Sequence, residues 1–199
     1  MNVMSQDITP RVRQVSLTVL SDDHYTLRRA EYDYLRSDGT WQRQVRESYD
    51  MGGGAAVLPI DRKTGNVLLI RQFRWPVYEM GYHELLIETV AGKLDGDTPE
   101  ACVIREALEE AGAVITNPRL IFHAYMSPGA VKERLFLFAA DYDSTAPRQL
   151  TTGLHDEGED IVTLEVTLEE SLAMIARGEI SDAKTVMMLQ WASLAARSA

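Results

Sequence analysis

The chain has 199 residues, 45% of them apolar, and carries a formal charge of -10 with a pI near 4.9. That length and apolar content suffice for the core of one large domain, or of one domain with an appendage. The charge argues against a general nucleic-acid binder, because no Lys/Arg cluster rivals the acidic runs and polyanions are repelled, although a local basic pocket can still take a small anion. No segment approaches the roughly 18 to 20 apolar residues of a membrane span. The N-terminal "MNVMSQDITPRVRQ" lacks the apolar run of a signal peptide, so the cytoplasm is the expected location.

In chain order, "QVSLTVL" and "YTLRRAEYDYL" alternate apolar and polar types, and "SDG" at 37–39 turns the chain into "WQRQVRESYD". This pattern predicts antiparallel strands with a hairpin, a small sheet of its own within residues 1–50. "MGGG" at 51–54 breaks the pattern, its glycines serving either a flexible turn or a close backbone approach, and a main domain is expected over 51–199. There "AAVLPI", "NVLLIRQF" and "LLIETVA" are short apolar runs between turn signals, as in a more deeply buried sheet. "RLIFHAY", "ERLFLFAADY" and "IVTLEV" predict further strands, before two helices, "LEESLAMIARG" and "SDAKTVMMLQWASLAAR". Leu168, Leu172 and Ile175 recur at helical spacing in the first, with Gly178 as its stop. The single Cys102 has no partner for an intramolecular disulfide and sits among apolar residues, so it reads as a buried thiol without chemistry.

Between these elements lies "AGKLDGDTPEACVIREALEEAGA", residues 91–113. Thr98 before Pro99 fits an N-cap with proline in the first turn, and Gly112 fits a C-terminal cap, which predicts a helix over about 99–111. Glu106 and Glu110 then share one face, about 5 to 6 Å apart at Cβ, with Glu109 nearby. Like charges repel there, and the macrodipole disfavours carboxylates in the middle and C-terminal part of a helix. A solvated acidic face is one reading of such a run. In the other, Arg105 pairs with Glu109 and leaves Glu106 and Glu110 to project together as oxygen ligands for a hard cation such as Mg²⁺.

Gly92, Asp97, the pair Arg105-Glu106, the pair Glu109-Glu110 and Gly112 resemble the signature of the Nudix hydrolases. From Asp97 to Gly112 the spacing is that of the family. At the front, four residues rather than five separate Gly92 from the acid, which is Asp97 rather than Glu; this departure bears on the loop and on any metal role for Asp97. "LIRQFR" (69–74), "YMSPG" (125–129) and "DEGEDI" (156–161) extend the resemblance, over about residues 20–195, to the subgroup of GDP-mannose hydrolases and ADP-ribose pyrophosphatases. "LSDDHYTL", "RESYD" and "GEISDAKTVMML" are more similar to the GDP-mannose group. The resemblance implies an α/β fold, the Nudix α/β/α sandwich, with a small N-terminal antiparallel β-sheet domain that serves dimerisation and substrate binding.

It implies in addition that Glu106, Glu110, Glu159 and the backbone carbonyl of Ala91 are metal ligands for Mg²⁺, or Mn²⁺ in its place. Glu157 is the candidate general base, with Asp156 and Glu109 as competitors, and Arg105 pairs with Glu109 to fix the helix to its loop. Arg46, Glu47 and Arg74 take substrate-contact positions, with Gly92 and Lys93 beside them at the metal-binding backbone. On residue type alone each of these cations is an ordinary surface charge; Arg74 leads as a phosphate contact because a guanidinium offers two donors. His24 stands where the GDP-mannose enzymes carry a tyrosine that can stack on the base. The implied reaction is Mg²⁺-dependent hydrolysis of the pyrophosphate bond of a nucleoside diphosphate sugar, GDP-mannose giving GMP and mannose 1-phosphate. ADP-ribose giving AMP and ribose 5-phosphate is the alternative, and a non-catalytic nucleotide-sugar-binding module a more distant one. The implied partners are that substrate and a second copy of the chain, in a homodimer with exchanged N-terminal strands, with neither nucleic acid nor membrane.

Overall fold

The computed structural model describes residues 7–148, 153 and 158–197. Contacts divide the chain into two compact units, one running to Gly52 and taking in Ser127–Glu133, the other comprising Gly53–Met126 and the chain from Arg134 onward.

In the first unit, β1 (Val12–Asp22) pairs antiparallel with β2 (Thr26–Leu35), and β2 pairs with the first half of β3 (Trp41–Asp61), from Leu35↔Trp41 to Thr26↔Asp50. Polar contacts cross these strands. Asp50 accepts from Arg28 and from Lys132, each at 2.7 Å, Glu31 accepts from Arg43 at 2.6 Å, and the Arg13 guanidinium lies 3.6 Å over the Trp41 ring. None of the described side chains of β1 or β2 is fully buried, and Leu17 and Val19 are 53% and 54% exposed.

The glycines expected to break the chain lie instead inside β3. The strand continues because Gly54 permits a close approach: a β-carbon there would come 2.9 Å from the Gly92 carbonyl oxygen and 2.8 Å from Leu135. Past this point β3 pairs with β4 (Asn66–Gln72), with β6 (Val90–Lys93) and with β8 (Val131–Asp141). β4 also pairs with β5 (Leu86–Glu88) and β9 (Val162–Thr167), and β7 (Thr116–Tyr125) with β8. A short α1 (Trp75–Glu79), with proline in its first turn, interrupts the chain between β4 and β5; five residues are too few to show helical periodicity.

Successive residues of a strand face opposite ways, and in β3 and β4 both faces are covered. Ala55, Val57, Leu68 and Ile70 share a core with Cys102, Val103, Ala107 and Ala111 of α2 (Pro99–Ala111). Ala56, Leu58, Val67 and Leu69 share another with Met174 of α3 (Leu168–Arg177) and with Met188, Leu189 and Ala192 of α4 (Ala183–Arg197). That is the α/β/α sandwich, and it explains why the apolar runs are continuous rather than alternating. Among the described residues no helix is long and apolar enough to cross a membrane.

Candidate active site

α2 starts and stops where its caps predict. The Thr98 hydroxyl oxygen accepts from the Ala101 N–H at 3.3 Å, Pro99 is the first helical residue, and Gly112 closes the helix in the left-handed conformation at φ 60°. The four-residue loop before it closes through the Asp97 N–H to the Leu94 carbonyl at 2.6 Å, with Asp95 at φ 45° and Gly96 at φ 94°. Two successive positive φ values mark a type I′ turn, for which Asp-Gly is a favoured pair. The helix face that buries Cys102, Val103 and Ala107 also carries Glu106 and Glu110 inward, to 8% and 2% exposure. The acidic run is therefore not a solvated face.

Burial pushes the Glu110 carboxyl up to about 8, against the Ala91 N–H that it accepts at 3.1 Å, and the charges of Glu106 and Glu159 push it further in the same direction. Burial likewise pushes Glu106 up to about 6, against the attraction of Arg105, with Glu109 and Glu159 adding to the rise. Glu159, distant in sequence, thus acts on both helix carboxylates. Gly92 is required beside them, since a β-carbon at that position would overlap the Glu106 carboxylate. Arg105 does more than hold Glu109: Nη1 lies 2.8 Å from Glu109 and 2.9 Å from Glu106, Nε lies 3.2 Å from Asp97, and Nη2 donates to the Lys93 carbonyl at 3.3 Å. The expected division, with Glu109 held and Glu106 free, does not form, because the fork of one guanidinium reaches all three carboxylates. Asp97 is accordingly a partner of Arg105.

Among the described residues no three acidic, histidine or cysteine side chains are grouped as a ready cage for a metal. The donor chemistry nevertheless fits a hard divalent cation. Two carboxylates lie one turn apart, buried beside a strand backbone, and the cost of burying both charges is relieved by positive charge placed between them.

Of the expected substrate contacts, Arg74 stands at the start of α1 and its Nε and Nη2 donate to the two oxygens of Glu88, at 2.7 and 3.3 Å. Glu88 also receives the ammonium of Lys184, which lies 3.1 Å from Asp182. These three partners were not expected from the sequence. The available signal was a lone glutamate within the apolar run "LLIETVA", because a charge in such a setting needs partners. Lys93 is exposed at the end of β6, next to Gly92. In the first unit His24 lies between β1 and β2, edge-on to Tyr25 at 4.4 Å, and Tyr25 is edge-on to Tyr49 at 5.3 Å. Arg46 and Glu47 are neighbours on β3, opposite Ala30 and Arg29. Glu157 and its competitor Asp156 lie outside the described residues. Within the second unit the structure gathers Ala91, Gly92, Lys93, Arg105, Glu106, Glu109, Glu110 and Glu159 around the N-terminal loop and inner face of α2. Cys102 is buried, its thiol pushed up to about 11 by that burial, with Sγ 3.2 Å from the Lys93 carbonyl.

The family model of the NUDIX domain matches residues 51–190. The chain belongs to the Nudix family. Nudix hydrolases generally use divalent metal cations, in keeping with the buried carboxylate pair. The family model of the GDP-mannose pyrophosphatase NudK N-terminal domain matches residues 11–49 of this Nudix chain. A GDP-mannose pyrophosphatase of Yersinia enterocolitica is 42% identical over 185 residues, covering 92% of this chain and 96% of the relative. One of Pectobacterium atrosepticum is 44% identical over 179 residues, covering 89% and 92%. A crystal structure of an ADP compounds hydrolase matches with a TM-score of 0.75 over 98% of both chains at 17% identity, a likeness of fold.

Proposed function

We propose that this Nudix hydrolase cleaves the pyrophosphate bond of a nucleoside diphosphate sugar, with GDP-mannose as substrate and GMP and mannose 1-phosphate as products. The observation that carries the reading is the pair Glu106 and Glu110, buried one turn apart, with carboxyls pushed up to about 6 and about 8. Such a pair is costly to the fold by itself and is stabilised by cation and polyanion together. Identities of 42% and 44% to GDP-mannose pyrophosphatases support the choice of substrate.

In this reading Glu106, Glu110, Glu159 and the Ala91 carbonyl would hold Mg²⁺, or Mn²⁺. The chemistry supplied there by a bound ion would be neutralisation of pyrophosphate oxygens and a lowered pKa for water. Arg105 orients α2 on its loop and keeps Glu109 in place, supported by its contacts to Asp97 and the Lys93 carbonyl. Gly92 leaves the strand backbone clear beside Glu106, Arg74 and Lys93 donate hydrogen bonds to the diphosphate, and Glu157 takes the proton of the water. His24, Arg46 and Glu47 extend the substrate contacts into residues 1–50, the region for dimerisation and substrate, with the hydrolase domain at 51–199. The half-exposed Leu17 and Val19 support a homodimer built through exchanged N-terminal strands. A cytoplasmic location belongs to the same reading.

The test is product release from GDP-mannose, GDP-glucose, ADP-ribose, ADP-glucose and NADH with Mg²⁺, with Glu106→Gln as the blank. GMP formed preferentially from GDP-mannose, and lost in the variant, is the expected result. Preference for ADP-ribose would replace the substrate assignment, and no turnover on any of the five would favour a non-catalytic binding module.

A further inference from the structure

Resting on that functional reading, we infer that Glu88 is the positioning residue for Arg74: a buried carboxylate that holds the guanidinium in a fixed orientation for the substrate's diphosphate. Glu88 is 2% exposed at the end of β5, where an unpaired charge would be strongly destabilising. Its oxygens serve two cations. One accepts Arg74 Nε at 2.7 Å, and the other accepts Arg74 Nη2 at 3.3 Å together with the Lys184 ammonium. Lys184 stays beside Glu88 when Arg74 is removed, and it is shared with Asp182.

The anchoring continues through the fold. Asp182 accepts the Thr185 N–H at 3.0 Å and its hydroxyl at 2.6 Å, capping the start of α4, and it pairs with Lys184 at 3.1 Å. Thr185 Oγ1 in turn accepts the Thr89 N–H at 2.7 Å. The first turn of α4 is thereby tied to Glu88 and Thr89, and two residues on, the Ala91 N–H donates to Glu110. One short stretch of backbone therefore holds the anchor of Arg74 at one end and that of a candidate metal carboxylate at the other. The charge of Glu110 acts on Arg74, so the two lie in one electrostatic site. The Arg74 side chain remains 42% exposed although one edge is tied down. Two cations, Arg74 and Lys184, face two carboxylates, Glu88 and Asp182, so the cluster is electrically balanced. Its contribution to a diphosphate is orientation of a bidentate donor rather than an excess of positive field.

A double-mutant cycle of Glu88→Gln and Arg74→Ala tests this, read in kcat/KM for GDP-mannose and in the Kd for GDP measured calorimetrically with Ca²⁺. Each single variant is expected to lose about 10- to 100-fold, and the double variant to be no worse than Arg74→Ala alone, as for residues acting as a unit. Losses that multiply would overturn the inference, as would a Glu88→Gln protein with unchanged kinetics and unchanged Kd. Should Glu88→Gln not fold, Glu88→Asp keeps the negative charge while shortening its reach to Arg74, and the same coupling applies. Wild-type protein that binds GDP without turning over GDP-mannose contradicts the substrate reading alone, and the cycle in Kd then decides for or against Glu88. Absence of GDP binding by the wild type overturns both.

Discussion

In the second unit every residue from Ala55 to Leu58 and from Val67 to Ile70 is fully buried, whereas in β1 and β2 of the first no described side chain is, and Leu17, Val19 and Leu20 stand about half exposed. Both units have well-formed hydrogen-bonded ladders, so the ladder does not make the difference. The sandwich has apolar cores on both sides of its sheet, while the first unit is laced by ion pairs such as Arg28–Asp50 and Arg43–Glu31. Exposed pairs of that kind contribute only about 0 to 1 kcal/mol each. The sandwich has the packing needed to tolerate Glu106, Glu110, Glu88 and Lys184 in its interior, whereas the N-terminal sheet leaves apolar side chains such as Leu17 and Val19 about half exposed.

The largest effect is expected where the sandwich carries its costliest charge. Glu110→Gln keeps an acceptor for the Ala91 N–H but removes the charge; turnover should fall on the order of a hundredfold or more. The melting temperature of the metal-free protein at pH 8 should rise, and a fall in calorimetry would break the account of Glu110 as a buried liability. Gly92→Ala places a β-carbon on the Glu106 carboxylate, and Mn²⁺ affinity measured by electron paramagnetic resonance should weaken about 10- to 100-fold. Unchanged affinity there would mean that Glu106 is not a ligand.

The first unit is tested by Leu17→Glu combined with Val19→Glu. Sedimentation equilibrium should show a dimer become a monomer, and a variant that stays dimeric would place the interface elsewhere. The pH dependence sharpens the other side of the contrast. Glu106 and Glu110 titrate near 4.5 when unfolded and are raised to about 6 and about 8 when folded. Their protonated forms favour the fold, so this stability is fully present below pH 4.5 and lost as pH rises through 6 and 8. Thermal melts without metal should decline across that window, and the decline should flatten in Glu106→Gln/Glu110→Gln. The smallest effect is at the cap of α2, where Thr98→Ala should cost about 1 kcal/mol in urea unfolding.

The ends of α2 were legible because caps are local: Thr98, Pro99 and Gly112 act within a turn of the residues they terminate. The strands of the sandwich were legible as apolar runs because both of their faces are covered. "MGGG" stays open between a flexible turn and a close approach in the sequence, since the choice depends on what packs against Gly54, namely Gly92 and Leu135. The signature residues of α2 could be read from spacing, but the reach of Arg105 to Glu106 depends on a side-chain conformation. Glu88 and Lys184 are 96 positions apart, so their pairing exists only once the fold has formed.

In the proposed function the buried carboxylates on α2 are kept for a divalent cation. Thermal unfolding at pH 8 with and without saturating Mg²⁺, in the wild type and in Glu106→Gln/Glu110→Gln, tests it most directly, because a ligand that binds the folded state at a hundred times its Kd stabilises by about 2.7 kcal/mol. A rise of several degrees is expected in the wild type and none in the variant. An equal rise in both would place the cation elsewhere and contradict it.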